Sequence, residues 1–178
     1  MNFDYLEISS FTSKDKVLLS DLKPISCNTY GWENYSITYK NNNEMKVRYN
    51  NNTNLLKVEG SLPYFAEGQN FSNDLSLMKD SIQIISDTIN VNLLESKIEC
   101  FESGITIESP VNVNYIFNSH YKIKGMQKSH FKHGLQFDSP IYNVKLYNAG
   151  KRLKSVLSRE KRQELAIKYN YNPNKEYL

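Results

Sequence analysis

Three short apolar runs punctuated by asparagine constrain this chain more than any other feature. "YSITYK" (35–40), "MKVRY" (45–49) and "LLKVEG" (55–60) are separated by "NNNE" and "NNNTN". β-Branched and aromatic residues fit a pleated surface, whereas Asn tolerates the left-handed backbone of tight turns. The expected order is therefore strand, turn, strand, turn, strand: an antiparallel meander. A weaker alternation in "FDYLEIS" (3–9) adds a candidate strand to the same sheet.

Beyond the meander the period changes. In "DLSLMKDSIQIISDTI" residues Leu75, Met78, Ile82, Ile85 and Ile89 recur at helical spacing, with Ser72 or Asn73 as N-cap. "SKIECFESGITIES" (96–109) reads as a long strand with Gly104 as a bulge or crossing point, and Pro110 opens a short helix in "VNVNYIFN". A less regular stretch holds all three histidines. "IYNVKLY" (141–147) is a further strand, and "SREKRQELAIKY" a helix with a capping box at Ser158. The expected fold class is α+β: a largely antiparallel sheet with one long helix, a short helix and a C-terminal helix. The expected organisation is one domain over 1–155 and a basic helical tail over 156–178.

With 178 residues, 39% hydrophobic and 23% charged, the chain is on the globular side of the boundary with disorder. A net charge of +3 is too small by itself to imply nucleic acid. From Lys145 onward, however, Lys and Arg outnumber acids, which suits a phosphate-binding face and equally a solvated helix. Cys27 and Cys100 form no CxxC pattern, so neither a disulfide framework nor a thiolate zinc site is expected, and a reducing compartment fits. "MNFDYLEISS" has no apolar signal-peptide core, and no apolar run approaches the ~20 residues that span a bilayer. A cytoplasmic location with no membrane partner is expected, and the sequons at Asn34, Asn51 and Asn70 are read as chance matches in an Asn-rich chain.

Side chains alternate across a strand, so phase groups the polar residues. Lys57 and Glu59 lie opposite Leu56 and Val58; Lys97 and Glu99 opposite Ile98 and Cys100; Lys145 and Tyr147 opposite Val144 and Leu146. If these strands are neighbours in register, Glu59, Glu99 and Tyr147 meet on one polar surface. Two carboxylates can hold Mg²⁺ or Mn²⁺, and a nearby cation helps a tyrosine of ordinary pKa ~10 to attack phosphorus. A half-exposed sheet that is apolar inside and polar outside gives the same pattern. "HFKH" spaces His130 and His133 three apart without helical context or an HExxH pattern and is read as loop chemistry. "EGQNFSND" has no GK[ST] and is not a phosphate loop.

Several segments together resemble the rolling-circle replication initiators of phages and plasmids, the kind that includes the filamentous-phage gene II protein. "VEGSLPYFAEGQNFSNDL" is similar to that family's VE-x-S-x-x-K-x-x-x-GHN segment ahead of a long helix, and "SKIECF" to its S-R-I-D-x-x-F strand. "ITIESP" and "YNVKLYNAGK" follow in the same order, over roughly residues 45–155. The resemblance implies an HUH-endonuclease-like fold and a metal-dependent tyrosine nickase acting at an origin on single-stranded or supercoiled DNA, with host replication proteins as further partners. Carried over by position, Tyr147 is the nucleophile with Lys151 beside it, and Glu59 and Glu99 are the Mg²⁺ or Mn²⁺ ligands. Lys57, Lys97, Lys145 and Arg152 contact phosphate, and Tyr142 stacks on unpaired bases. The family's GHN histidine is Gln69 here, a poorer ligand. The alternative the resemblance leaves open is a truncated, non-catalytic DNA-binding or regulatory relative.

Overall fold

A computed structural model describes residues 2–28, 30–39, 43–68, 74–105, 107–119, 122–131, 134–148, 150–151, 154, 158–168 and 172. Expected features at Gln69, Ser72, Asn73, His120, His133 and Arg152 lie outside them. The chain is α+β, and every strand pairing among the described residues is antiparallel. It divides into two compact units, residues 1–104 and 105–178, so the expected 1–155 span crosses the division and the 155/156 boundary falls inside the second unit.

The first unit is a six-stranded sheet. Its strands are β1 (Asn2–Phe11), β2 (Lys23–Cys27), β3 (Trp32–Tyr39), β4 (Asn43–Asn50), β5 (Leu55–Gly60) and β6 (Lys97–Gly104), in the order β2-β3-β4-β5-β1-β6. The Asn-punctuated meander is β3-β4-β5, with Asn54 in the left-handed region at φ 54°. β1 is inserted between β5 and the edge strand β6. The sequence pattern did not indicate β2, which contains Pro24 and is exposed throughout. It is an edge strand, where a missing N–H is tolerated and no apolar alternation is required.

Two helices pack near one another against the sheet, α1 (Leu62–Glu67) and α2 (Leu75–Ile89). The Gly-Ser-Leu-Pro segment that follows β5 starts α1, which the sequence pattern did not indicate. Ser61 Oγ accepts from Tyr64 N, and Pro63 occupies the first turn, where its missing N–H has no partner to lose. Gly68 ends the helix at φ 73°, a left-handed cap suited to glycine. Asp74 caps α2 by accepting from Ser76 N and Leu77 N. Met78, Ile85 and Ile89 are buried as the spacing requires, but Leu75, in the first turn, is exposed.

The core of this unit joins Ile37, Met45, Val47, Tyr49, Leu56 and Val58 of the sheet to Leu62, Phe65, Met78, Ile85 and Ile89 of the helices. Phe65 stacks on Tyr39 at 5.2 Å between ring centroids. The fully buried Tyr49 keeps its hydroxyl satisfied by donating to Thr12 O at 3.0 Å.

The second unit contains α3 (Val113–Asn118), β7 (Gln127–Phe131), β8 (Gly134–Asp138), β9 (Asn143–Tyr147) and α4 (Arg159–Lys168). Its sheet has the order β7-β8-β9. The stretch read as irregular is the β7-β8 hairpin, and His130 is a strand residue. Its short strands and the "KHG" between them gave little periodicity to read. Val113 and Phe117 of α3 pack on Leu135 and Phe137, with Val144 and Leu146 alongside. Ser158 accepts from Lys161 N ahead of α4, but the residue three places on is Lys161, not Glu or Gln, so only half of the expected capping box forms. No helix among the described residues is long and apolar enough to cross a membrane.

Candidate functional site

In the first unit the residues of β4, β5 and β1 that point away from the core form a row of charges. Cross-strand register places Lys46 opposite Glu59, Glu59 opposite Glu7, and Lys57 opposite Ser9. Glu59 receives Lys46 Nζ at 2.9 Å and Arg48 Nη2 at 2.8 Å, one at each carboxylate oxygen. Lys57 Nζ pairs with Glu7 at 2.5 Å. Arg48 also lies over the Trp32 ring, 5.3 Å from its centroid. Lys46, Arg48 and Glu7 were missed in the sequence. Their signal lies in the phase of "MKVRY" and "FDYLEIS", neither of which carries a Lys-x-Glu or Lys-x-Tyr pattern.

Glu99 and Cys100 correct the phase expected for β6. The pairing of β1 with β6 slips between Glu7 and Ile8, so Cys100 stands opposite Glu7 and Ile98 opposite Ile8. Glu99 is the extra residue of this bulge, which moves Cys100 off the apolar face. Gly104 ends the strand and is not itself the expected bulge; a second register shift lies beside it, between Phe3 and Tyr5 of β1. Glu99 accepts from Ser9 Oγ at 2.6 Å and from Lys97 Nζ at 2.9 Å. The Ser9 hydrogen bond, followed by that of Lys97, holds its carboxyl below the usual range. Burial, with the nearby Glu59 and Glu7 charges, pushes the Tyr5 phenol up to about 12.

Glu59 and Glu99 share a sheet but not a cluster. β1 runs between their strands, and their four oxygens already accept from Lys46, Arg48, Ser9 and Lys97. A divalent ion would have to displace a cation at either carboxylate, so this arrangement does not fit the expected two-carboxylate site. Among the described residues no group of three or more His, Cys, Asp or Glu side chains is gathered to hold a metal.

Tyr147 is in the other sheet, at the end of β9 in the second unit. The expected phase holds there: Val144 and Leu146 face the small core, and register places Lys145 opposite Gln136 and Tyr147 opposite Gly134, which in turn pairs with Phe131. Gly134 is required by close approach. A Cβ there would collide with Leu146 O and sit 2.7 Å from Phe131 Cζ, so the Phe131 ring lies against the glycine in the row that contains Tyr147. Tyr142 is exposed on the turn between β8 and β9.

Beyond Tyr147 the chain turns into a helical segment at Gly150 and Lys151, where the buried Asn148 accepts from Lys151 N at 2.8 Å. The cap aims the lysine back at α3, and Lys151 Nζ donates to Asn114 Oδ1 at 3.3 Å. These residues line a pocket of about 350 Å³ together with Asn118, His130, Phe131 and Gly134. Tyr147 and Lys151 are thus brought to one end of one small sheet, and His130, Phe131 and the three asparagines join them there. Their sequence signal was weak because α3, β7 and β9 are far apart in the chain.

Comparison with family models, with curated proteins and with solved structures finds no match to this chain.

Proposed function

We propose that this protein is a replication initiator of the phage and plasmid rolling-circle type, with the HUH-endonuclease-like relationship its motifs suggest, and that Tyr147 is the residue that attacks DNA. The observation that carries the reading is the end of β9, where Tyr147 stands four residues before Lys151, a lining residue of a polar pocket. The Tyr147 oxygen attacks the phosphorus of one DNA strand. The bond from phosphorus to the 3′ oxygen breaks, leaving a 5′-phosphotyrosine, and the released oxygen takes a proton to become the 3′ hydroxyl that primes synthesis. Lys151 supplies positive charge to the phosphate oxygens, with Lys145 on the same strand and Arg152 next in sequence as further phosphate contacts. Tyr142 stacks on an unpaired base. Mg²⁺ or Mn²⁺, when bound, would neutralise charge on the scissile phosphate. No step here depends on it, because the oxygens of Glu59 and Glu99 are occupied by the protein's own cations and hydroxyl.

That occupancy favours a second reading, the non-catalytic DNA-binding relative. In it Lys57 and Lys97 exchange their carboxylate partners for phosphates and no covalent step occurs. Intact mass after incubation with Mn²⁺ and pooled single-stranded DNA separates the two. An adduct on the wild type and none on Tyr147→Phe supports the nickase; salt-sensitive DNA binding with no adduct on either supports the relative.

A further inference from the structure

The pocket lined by Lys151 has a composition that a simple phosphate contact does not need. Lys151 alone would hold an anion. Asn114 and Asn118 add amide groups, each with both donor and acceptor capacity, and Phe131 adds an aromatic wall. The floor is built rather than incidental. Asn148 is buried with 3% of its surface exposed and fixes the backbone of Lys151 at 2.8 Å, while Gly134 permits the Phe131 ring to lie against the strand. Val113 and Phe117 are the buried contacts of α3 with the core, so the helix that presents both asparagines is anchored.

We infer that this pocket is a mononucleotide site, taking one unpaired nucleotide of the DNA with its phosphate on Lys151, its base against Phe131 and the base edge on Asn114 and Asn118. Cation, aromatic face and amide are the three groups that recognise a nucleotide's three parts: charge for phosphate, a π-face for stacking, and a paired donor and acceptor for a base edge. The volume of about 350 Å³ is near the lower end of small-molecule sites, which run from ~300 to ~1,000 Å³, and fits one unit rather than two. Lys151 already donates to Asn114 at 3.3 Å, a long contact that a phosphate oxygen can replace, leaving the amide to the base. The inference rests on the proposed DNA reading for its biological meaning but makes its own claim about affinity.

The test is a ¹⁵N-resolved NMR titration of the full chain at low salt with the four deoxynucleoside 5′-monophosphates, with deoxyadenosine and inorganic phosphate as fragments. The expected result is that at least one nucleotide shifts the side-chain amides of Asn114 and Asn118. It should also bind about tenfold tighter than either fragment, the scale of a stacked base added to a phosphate contact. Phe131→Leu should weaken the nucleotide about tenfold and leave phosphate unchanged, whereas Lys151→Gln should weaken both. Phosphate binding as tightly as every nucleotide, shifts confined to other residues, or indifference of a folded Phe131→Leu protein would each overturn the site. The DNA-adduct assay on the wild type, run beside the titration, keeps the two proposals apart. Nucleotide bound in the pocket with no DNA adduct on the wild type removes the nickase and leaves this site standing. An adduct with no nucleotide binding does the reverse.

Discussion

In the first unit Glu7, Glu59 and Glu99 are each held by a lysine, an arginine or a hydroxyl of a neighbouring strand, while in the second Lys151 stands among amides and an aromatic ring at the wall of a pocket. Paired charges on a sheet face fix register, since a one-residue slip would turn every partner to the other side. A cation set among neutral donors and acceptors can exchange its contact for a ligand at little cost. Under the two proposals above, the first unit acts as a scaffold and the second holds the ligand. Their interiors differ in the same sense: among the described residues, sixteen buried hydrophobics cluster in the first unit and four around α3 in the second.

The largest effect should come from testing that difference in cores. Phe65 and Phe137 are both essentially inaccessible, and Phe→Ala at either site should cost about 3–5 kcal/mol. At ~0.05–0.15 kcal/mol per residue, a unit the size of the second holds about 4–11 kcal/mol, so that loss is comparable to the lower end of its stability. Phe137→Ala should therefore abolish dispersed NMR signals from β7, β8 and β9 while those of β3, β4 and β5 persist. Phe65→Ala should lower the denaturant midpoint yet leave a folded first unit. Simultaneous loss of both sets of signals in Phe137→Ala would show that the two units unfold together and would remove the distinction drawn here.

Charge removal gives a smaller effect that sharpens the same contrast. Glu59 is 14% exposed at its side chain and serves two cations, so Glu59→Gln should destabilise the protein by about 1–3 kcal/mol through the charges it leaves behind. Lys151 is exposed, and Lys151→Gln should change stability by no more than about 0.5 kcal/mol while weakening nucleotide and DNA binding. Urea denaturation of both variants, beside a DNA-binding titration, checks the pair. A Glu59→Gln protein that keeps full stability but loses DNA binding would make the first unit's charged face a site and not a brace.

How far the sequence revealed these regions follows the same division. β3, β4 and β5 were legible because Asn-rich turns bounded runs of alternating phase, and α2 because its apolar residues kept a helical period over 15 residues. α1 was not indicated, because it is only six residues long and Pro63 in its first turn obscures any helical period. β7 and β8 are five residues each, too short for a period to stand out. In the candidate site, Glu59, Lys57, Tyr147 and Lys145 were phased correctly, because strand alternation is local information. That Tyr147 belongs to a different sheet from Glu59 is a matter of topology, and the Glu99 bulge depends on how β1 pairs with β6; neither is encoded in any single run. Phe131, Asn114 and Asn118 became visible only when the fold brought α3 to the end of β9.

The smallest effect concerns acid, and it locates pH sensitivity in the scaffold. Glu33 in β3 accepts from Lys14 Nζ at 2.8 and 2.9 Å, from Asn51 Nδ2 at 2.8 Å and from the Tyr35 hydroxyl at 2.7 Å. The Lys14 hydrogen bond first, then those of Asn51 and Tyr35, lower its carboxyl from 4.5 to about 2. Because the folded value lies below the unfolded one, the stabilisation is fully present above about 4.5 and is lost as pH falls through about 2. Glu33→Gln should be less stable than the wild type at pH 7 and should show a flatter decline between those limits, measured by urea midpoints at successive pH values. The cluster ties the 3-10 turn at Lys14–Lys16 and the β4–β5 turn to one residue of β3, so its protonation should loosen the first unit at that end. Signals of β8 and β9 should hold through the same range. If they decline together with those of β3, the acid response belongs to the whole chain, and the scaffold's paired carboxylates do not set it.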